Sequence, residues 1–236
     1  MKIAECYRSL QGEGLLAGTP SVFLRTSGCN LRCHWCDTPF TSWEPVGSEQ
    51  SSEAVLQAIA AFGCQHVVIT GGEPMLSAEC LDCCRELRLR GYHVTIETAG
   101  TVLRDEIPPA ELADLFSISP KLASSAPPAD TPGDWHRRHE AARRRDDVVA
   151  ALLAAGGYQL KFVIDRATDL DEACHWLDAI DRLITVDRSR VLLMPQGTDA
   201  EALAATTAWL QPACHRQGFR FAPRHHLNWY GHARGT

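Results

Sequence analysis

The sequence predicts an α/β fold built on a mainly parallel sheet, and three observations carry that expectation. Short β-type runs alternate with helical runs along nearly the whole chain. Unusual polar residues follow the last apolar residue of several runs, as they do where parallel strands end at a common rim. The chain has 236 residues, 45% of them apolar, which suits the core of one domain of this class.

In chain order, the expected strands are residues 5–9 (ECYRS), 21–26 (SVFLRT), 66–70 (HVVIT), 93–98 (HVTIET), 115–119 (LFSIS), 159–164 (QLKFVI) and 191–195 (VLLMP). Helices are expected near 51–62, 77–90, 136–155, 169–183 and 199–217. In the first helix Ser51 or Ser52 can cap the N-terminus and Glu53 suits the positive end of the dipole. Val55, Ile59 and Phe62 form one apolar stripe, and Gly63 offers a stop. In the second, "CLDCC" puts Cys80 and Cys84 on one face, as a core-facing thiol pair or an auxiliary metal site. Residues 124–134 (SSAPPADTPGD) read as an exposed loop. The basic segment after it, "WHRRHEAARRRDD", reads as a solvated helix face or a surface for an acidic partner. The expected organisation is a single domain, 1–236, with a variable loop and basic helix inserted at 122–147.

Charge narrows the function classes. With 23 basic and 29 acidic residues the net charge is −6, the wrong sign for a protein held to nucleic acid by phosphate contacts. A small polar or weakly anionic ligand is the better expectation. The longest apolar run, "VVAALLAA", is too short to cross a bilayer and no export signal opens the sequence, so no membrane association is expected and a cytoplasmic location is. The ten cysteines are therefore read as reduced, with positions 6, 64, 80, 83, 84, 174 and 214 in apolar patterns that suit inert buried thiols.

Cys29, Cys33 and Cys36 stand apart. Their C-x3-C-x2-C spacing, in a loop after the strand at 21–26, lets three thiolates wrap one compact soft-metal centre. Structural zinc wants a fourth protein ligand, and His34 is awkwardly placed to supply it. A four-iron cluster without a fourth ligand keeps one iron open for a small molecule. On spacing alone, unligated thiols and a zinc knuckle remain open. "TGGEP", residues 70–74, directly follows a strand and offers backbone groups that a ligand can approach, with an acid held against a proline.

"CNLRCHWC" together with "TGGEP" resembles the radical S-adenosylmethionine superfamily. "SLQGEG", "CNLRCHWCDTPFTSW", "IETAG", "SPKL", "QLKFVI", "MPQG" and "HLNWYGHARGT", in that order from end to end, resemble its 7-carboxy-7-deazaguanine synthase family. The resemblance implies a partial (β/α) barrel in which Cys29, Cys33 and Cys36 hold a 4Fe–4S cluster whose unique iron chelates S-adenosylmethionine. One electron then splits the sulfonium, and the resulting radical takes a hydrogen atom from substrate. It implies S-adenosylmethionine contacts from Trp35, Gly72, Glu73, Ser119, Lys121 and Gln196, with Trp35 equally able to serve as loop packing.

The implied reaction converts 6-carboxy-5,6,7,8-tetrahydropterin to 7-carboxy-7-deazaguanine with loss of ammonia. The implied substrate site comprises Leu10, Gln11, Gly12, Glu13, Arg25, Thr70, Glu97 and His226. Gln11 can satisfy an amide-like edge, Glu13 or Glu97 can accept from guanidine-like N–H groups, and Arg25 can pair with the carboxylate. Equally, Gln11 and Glu13 could only shape the Gly12/Gly14 turn, and Arg25 could sit at a strand edge on the surface. Thr38 matches a Mg²⁺-binding hydroxyl, leaving Asp37 to cap the loop, while His225 and His232 read as surface residues.

A reducing partner such as flavodoxin or ferredoxin and a homodimer are also implied. Ala99 departs from the family, where an amide is common, and the interval 121–161 maps onto no family role. Two rivals remain: a glycyl-radical activating enzyme using the same cluster, and a non-catalytic zinc-binding module.

Overall fold

The protein is described from a computed structural model that covers residues 1–104, 106–231 and 233–235. Its strands are β1 (Lys2–Leu10), β2 (Pro20–Thr26), β3 (Ser48–Glu49), β4 (His66–Gly71), β5 (His93–Thr98), β6 (Leu115–Ile118), β7 (Tyr158–Ile164), β8 (Val191–Pro195) and β9 (Arg220–Phe221). They form one sheet in the order β3-β1-β2-β4-β5-β6-β7-β8-β9. From β2 through β9 neighbouring strands pair in parallel; β1 runs antiparallel between β2 and β3. The sheet ends at β3 and β9 and does not close, so it is a partial barrel. The seven expected strands are present, and two-residue strands at both edges, too short for a periodic signal, are added.

The helices are α1 (Pro39–Ser42), α2 (Ser52–Ala61), α3 (Ala78–Leu89), α4 (Trp135–Ala142), α5 (Asp146–Ala154), α6 (Ala167–Asp181), α7 (Ala200–Gln217) and α8 (His225–Tyr230). The single helix expected at 136–155 is corrected to α4 and α5. Arg145 leaves the helical region (φ −137°, ψ 84°), and Asp146 and Asp147 start a new helix at its positive end. Arg144 pairs with Asp146 and Arg145 with Asp147, which neutralises much of the basic run. The exposed loop expected at 124–134 is also corrected: Ser124, Ser125 and Pro127 are buried, and exposure begins at Pro128. Of the two C-terminal histidines read as surface residues, His225 is half-buried and stacks on Trp229, and His232 lies outside the described residues.

Period-two alternation divides the sheet into two faces. Leu24, Ile69, Ile96 and Phe116 lie side by side in register and are essentially fully buried beneath the helices. Each such side chain contributes roughly 2 kcal/mol to folding by leaving water. Cys80 and Cys84 of α3 join this core and are fully buried. The alternate positions, Arg25, Thr70, Glu97 and Ser117, face the other way. A one-residue slip would drive those polar groups into the core, so the hydrophobic pattern that folds the sheet also aims the polar face.

Candidate active site

The polar face lines a cavity of about 520 Å³ at the carboxyl ends of the parallel strands. It brings together Leu10, Gln11, Gly12 and Glu13 after β1, Arg25 on β2, the cysteine loop with Trp35 and Thr38, Thr70 and Gly72 after β4, and Glu97 on β5. Ser119 and Lys121 after β6 and His226 of α8 complete the wall. Two expected residues are absent from it. Glu73 is 1% exposed, and its carboxylate accepts from Thr98 Oγ1 (2.8 Å), Ala99 N–H (2.8 Å) and Met75 N–H (3.1 Å). It therefore braces the Gly71–Gly72 turn from behind. Gln196 lines a second recess of about 440 Å³, which adjoins the first through Trp35, Cys36 and Asp37.

Backbone packing fixes the cysteine loop. Gly28 has φ +113°, and its N–H donates to Thr41 O at 2.8 Å. A Cβ on Gly72 would sit 1.9 Å from Gly28 O, so only glycine lets these two loops touch. Cys33 O accepts Trp43 Nε1–H at 2.9 Å, Cys29 Sγ accepts Leu31 N–H at 3.4 Å, and Ser42 Oγ reaches Cys36 Sγ at 3.4 Å. Burial pushes the Cys29 thiol up to about 11 and the Cys33 thiol up to about 12, so thiolates at these positions would need a cationic centre beside them to stabilise their charge. Among the described residues no three His, Cys, Asp or Glu side chains converge on a single-ion site. All three thiols line the cavity, Cys33 buried and Cys29 and Cys36 half-buried, and soft sulfur donors of this kind are the ligand class of iron–sulfur clusters.

Glu13 is the centre of an ion-pair network that sequence reading did not find. Its carboxylate pairs with Lys161 Nζ, approaches Arg224 Nε at 3.5 Å and lies 3.7 Å from His226 Nδ1. Arg224 also donates to Asp37 Oδ2 (2.5 Å) and Gly197 O (2.6 Å), so Asp37 answers a residue 187 positions away and does not cap its own loop. Burial alone would raise the Glu13 pKa, but the Lys161 and Arg224 cations outweigh it and hold the group at about 2. Burial lowers the His226 pKa, with Glu13 opposing, which favours the neutral ring. That ring packs on Gly12, where a Cβ would lie 2.5 Å from His226 Cβ.

The Glu13 network yields a stability prediction. With a folded value near 2 against an ordinary 4.5, the stabilisation is complete above about pH 4.5 and is lost as pH falls through about 2. Glu13→Gln should cost roughly 3 kcal/mol at neutral pH and remove the acid-dependent loss between these values. Denaturant unfolding of both proteins at pH 7 and pH 3.5 checks it; equal pH dependence would refute it.

The remaining acid is arranged differently. Glu97 accepts from Thr70 Oγ1 at 2.8 Å and Gln11 Nε2 at 3.1 Å, neutral donors that leave lone pairs facing the cavity. Gln11 Oε1 also accepts Glu13 N–H at 3.1 Å, so this side chain shapes the turn and reaches the cavity together. Arg25 is not at a surface edge: 16% exposed, it gives Nε to Glu5 (2.9 Å) and one terminal nitrogen to Tyr7 Oη (3.0 Å). Lys121 Nζ donates to Ser119 O and Oγ at 2.9 and 2.8 Å. Thr38 Oγ1 accepts from Thr41 Oγ1 at 3.2 Å. The signal for Lys161 was a lysine inside an otherwise apolar strand; Arg224 gave none.

A model of the radical SAM superfamily matches residues 23–170. A 7-carboxy-7-deazaguanine synthase from Rhodopirellula baltica is 43% identical over 235 residues, covering 99% of this chain and 88% of that protein. The synthase of the same name from Halobacterium salinarum is also 43% identical over 235 residues, covering 96% and 89%. Among solved structures, QueE from Escherichia coli superposes with a TM-score of 0.67 at 26% identity, over 95% of this chain and 94% of that one. Streptococcus suis SuiB bound to S-adenosylmethionine shares the fold at a TM-score of 0.52 and 14% identity, over 86% and 50%.

Proposed function

We propose, from the premise that this chain belongs to the 7-carboxy-7-deazaguanine synthase family of the radical S-adenosylmethionine superfamily, that it converts 6-carboxy-5,6,7,8-tetrahydropterin to 7-carboxy-7-deazaguanine with release of ammonia. The family works with a 4Fe–4S cluster and S-adenosylmethionine, which together supply a one-electron route to hydrogen-atom removal from substrate. The observation that carries the reading is one cavity lined both by three thiols and by a carboxylate, Glu97, whose hydrogen bonds come from the neutral donors Thr70 and Gln11.

Cys29, Cys33 and Cys36 would hold the cluster. The open backbone at Gly72, with Ser119 and Lys121 across the cavity, offers donors and acceptors for the amino-acid and ribose portions of S-adenosylmethionine. Trp35 borders both cavities and Gln196 lines the second, a pairing that suits the adenine. On the substrate side the sequence left Glu13 and Glu97 open. Charge favours Glu97, because Glu13 is already neutralised by buried cations. Glu97 accepts the guanidine-like N–H edge, and the terminal nitrogen that Arg25 does not give to Tyr7 pairs with the carboxylate. Thr38 presents a hard hydroxyl oxygen to the same space, and a magnesium ion there would complete its shell with substrate oxygens and water. The electron comes from a low-potential carrier of flavodoxin or ferredoxin type.

The test is anaerobic incubation of the iron-loaded protein with a strong reductant, S-adenosylmethionine and the carboxypterin. Ammonia and the deazaguanine are expected in equal amounts. Cleavage of S-adenosylmethionine that leaves the pterin intact would overturn the substrate assignment.

A further inference from the structure

The loop and basic helix expected as an insertion, residues 122–147, lie within the interval that maps onto no family role and pack against the cysteine loop at consecutive points around Cys33. Arg32 N–H donates to His139 Nδ1 at 3.2 Å, His34 N–H donates to Ser125 O at 3.0 Å, and Trp35 Nε1–H donates to Ser124 O at 3.2 Å. Residues on both sides of Cys33 are thus tied to one segment, and the cysteine itself is 8% exposed.

The histidine is built for this contact. His139 is fully buried. Because Nδ1 accepts the Arg32 amide, the ring proton sits on Nε2, which donates to Ser125 Oγ at 2.9 Å; that hydroxyl donates onward to Leu122 O at 2.6 Å. Burial first, then the Arg143 and Lys121 cations, lower the His139 pKa to about 4, so the accepting neutral ring persists at neutral pH.

A second set of contacts engages the Arg32 side chain. Its guanidinium donates to Cys29 O and Leu31 O, both at 2.8 Å, and lies 4.0 Å from the centre of the Trp135 ring. Arg138 stacks on Trp135 at 3.9 Å. Trp135, Arg138 and His139 are spaced i, i+3, i+4, so they share one face of α4, and that face is turned to Arg32. The solvated-face reading of this helix therefore holds only for its other side, where Arg137 pairs with Asp134.

We infer that α4 and the 122–125 turn form a splint that holds the cysteine loop in its ligating shape, with His139 as the positioning residue. The inference rests on Cys29, Cys33 and Cys36 being the cluster ligands. A buried acceptor that fixes the amide between two ligands limits how far the loop can relax, and so slows escape of the cluster. Arg32 adds a second restraint through the carbonyl of the first ligand.

The experiment compares wild type with His139→Leu, which removes the acceptor, and His139→Asn, whose Oδ1 keeps an acceptor at the reach of Nδ1. Each is reconstituted anaerobically and challenged with an iron chelator, and the bleaching rate, the electron paramagnetic resonance line shape of the reduced cluster and the melting temperature of the iron-free chain are recorded. His139→Leu should lose its cluster about tenfold faster than wild type, with an altered line shape, and His139→Asn should recover most of that difference. Trp135→Ala, near the surface, should accelerate loss by a smaller factor, and Arg137→Ala should leave it unchanged.

The proposal is overturned if His139→Leu and Trp135→Ala both release iron at the wild-type rate, or if His139→Asn is no better than His139→Leu. A fall in melting temperature without any change in cluster release marks a purely structural histidine and also overturns it. Should His139→Leu not fold, Trp135→Ala decides alone. Failure of wild type itself to take up iron would refute the ligand assignment, a result distinct from all of these.

Discussion

Cys33→Ala should retain less than about one iron per chain after anaerobic reconstitution and should lose turnover by at least about 10³-fold, roughly 4 kcal/mol of transition-state stabilisation. Two remaining thiols cannot hold a cluster that already lacks a fourth protein ligand. The loop offers no substitute donor, since His34 is exposed and its backbone is tied to Ser125. Serine in place of alanine should do little better, because a hard hydroxyl is a poor match for iron in a sulfide core. The informative control is Cys84→Ala. Cys84 is buried like Cys33, and more completely, but lies in the core on α3, so its loss should cost about 1 kcal/mol of stability and no iron. Iron analysis and circular dichroism on both variants separate a ligand from a packing thiol; similar iron content in the two would contradict the assignment.

Glu97→Gln should lower kcat/KM for the carboxypterin by about 10²- to 10³-fold, roughly 3–4 kcal/mol, with iron content unchanged. The substitution keeps size and shape but replaces an acceptor oxygen by an NH₂ group. That group would face Thr70 Oγ1 or Gln11 Nε2, which are donors already, or the donor edge of the substrate. Buried donors facing one another are left unpaired, and this penalty gives polar recognition its steep discrimination. The variant should still cleave S-adenosylmethionine, so that cofactor consumption outruns product. If Glu97→Gln keeps kcat/KM within about threefold and a folded Glu13→Gln loses it, the acceptor is Glu13.

These two predictions draw on different kinds of legibility. The cysteine loop could be read because its three thiols lie within eight residues, and their spacing is a local geometric constraint. The strands could be read because burial on one face forces period-two alternation, and the rim because polar residues interrupt apolar runs where they end. Thr70, Glu97 and Ser119 were visible for that reason.

Pairings across the cavity were not. Lys161 meets Glu13 over 148 positions and Arg224 meets Asp37 over 187, distances at which only the finished sheet decides who is adjacent. A carboxylate reads the same in sequence whether it faces a cation or a ligand, and so Glu13 and Glu97 were indistinguishable until their partners were known. The α4–α5 break was hidden for a related reason: helix propensity runs smoothly through the three arginines, and the interruption comes from ion pairing and from α4 docking on Arg32. Glu73 and Gln196 lie beside the main cavity and not on its wall, Glu73 behind the Gly71–Gly72 turn and Gln196 in the adjoining recess, a distinction that local sequence does not carry.

The most direct measurement is the electron paramagnetic resonance spectrum of the anaerobically reconstituted, reduced protein, taken before and after adding S-adenosylmethionine, with iron determined on the same sample. About four irons per chain and a spectrum that changes on addition are predicted, since the three thiolates leave one iron for the sulfonium cofactor. A colourless protein carrying zinc, or a cluster spectrum indifferent to the cofactor, would contradict the account.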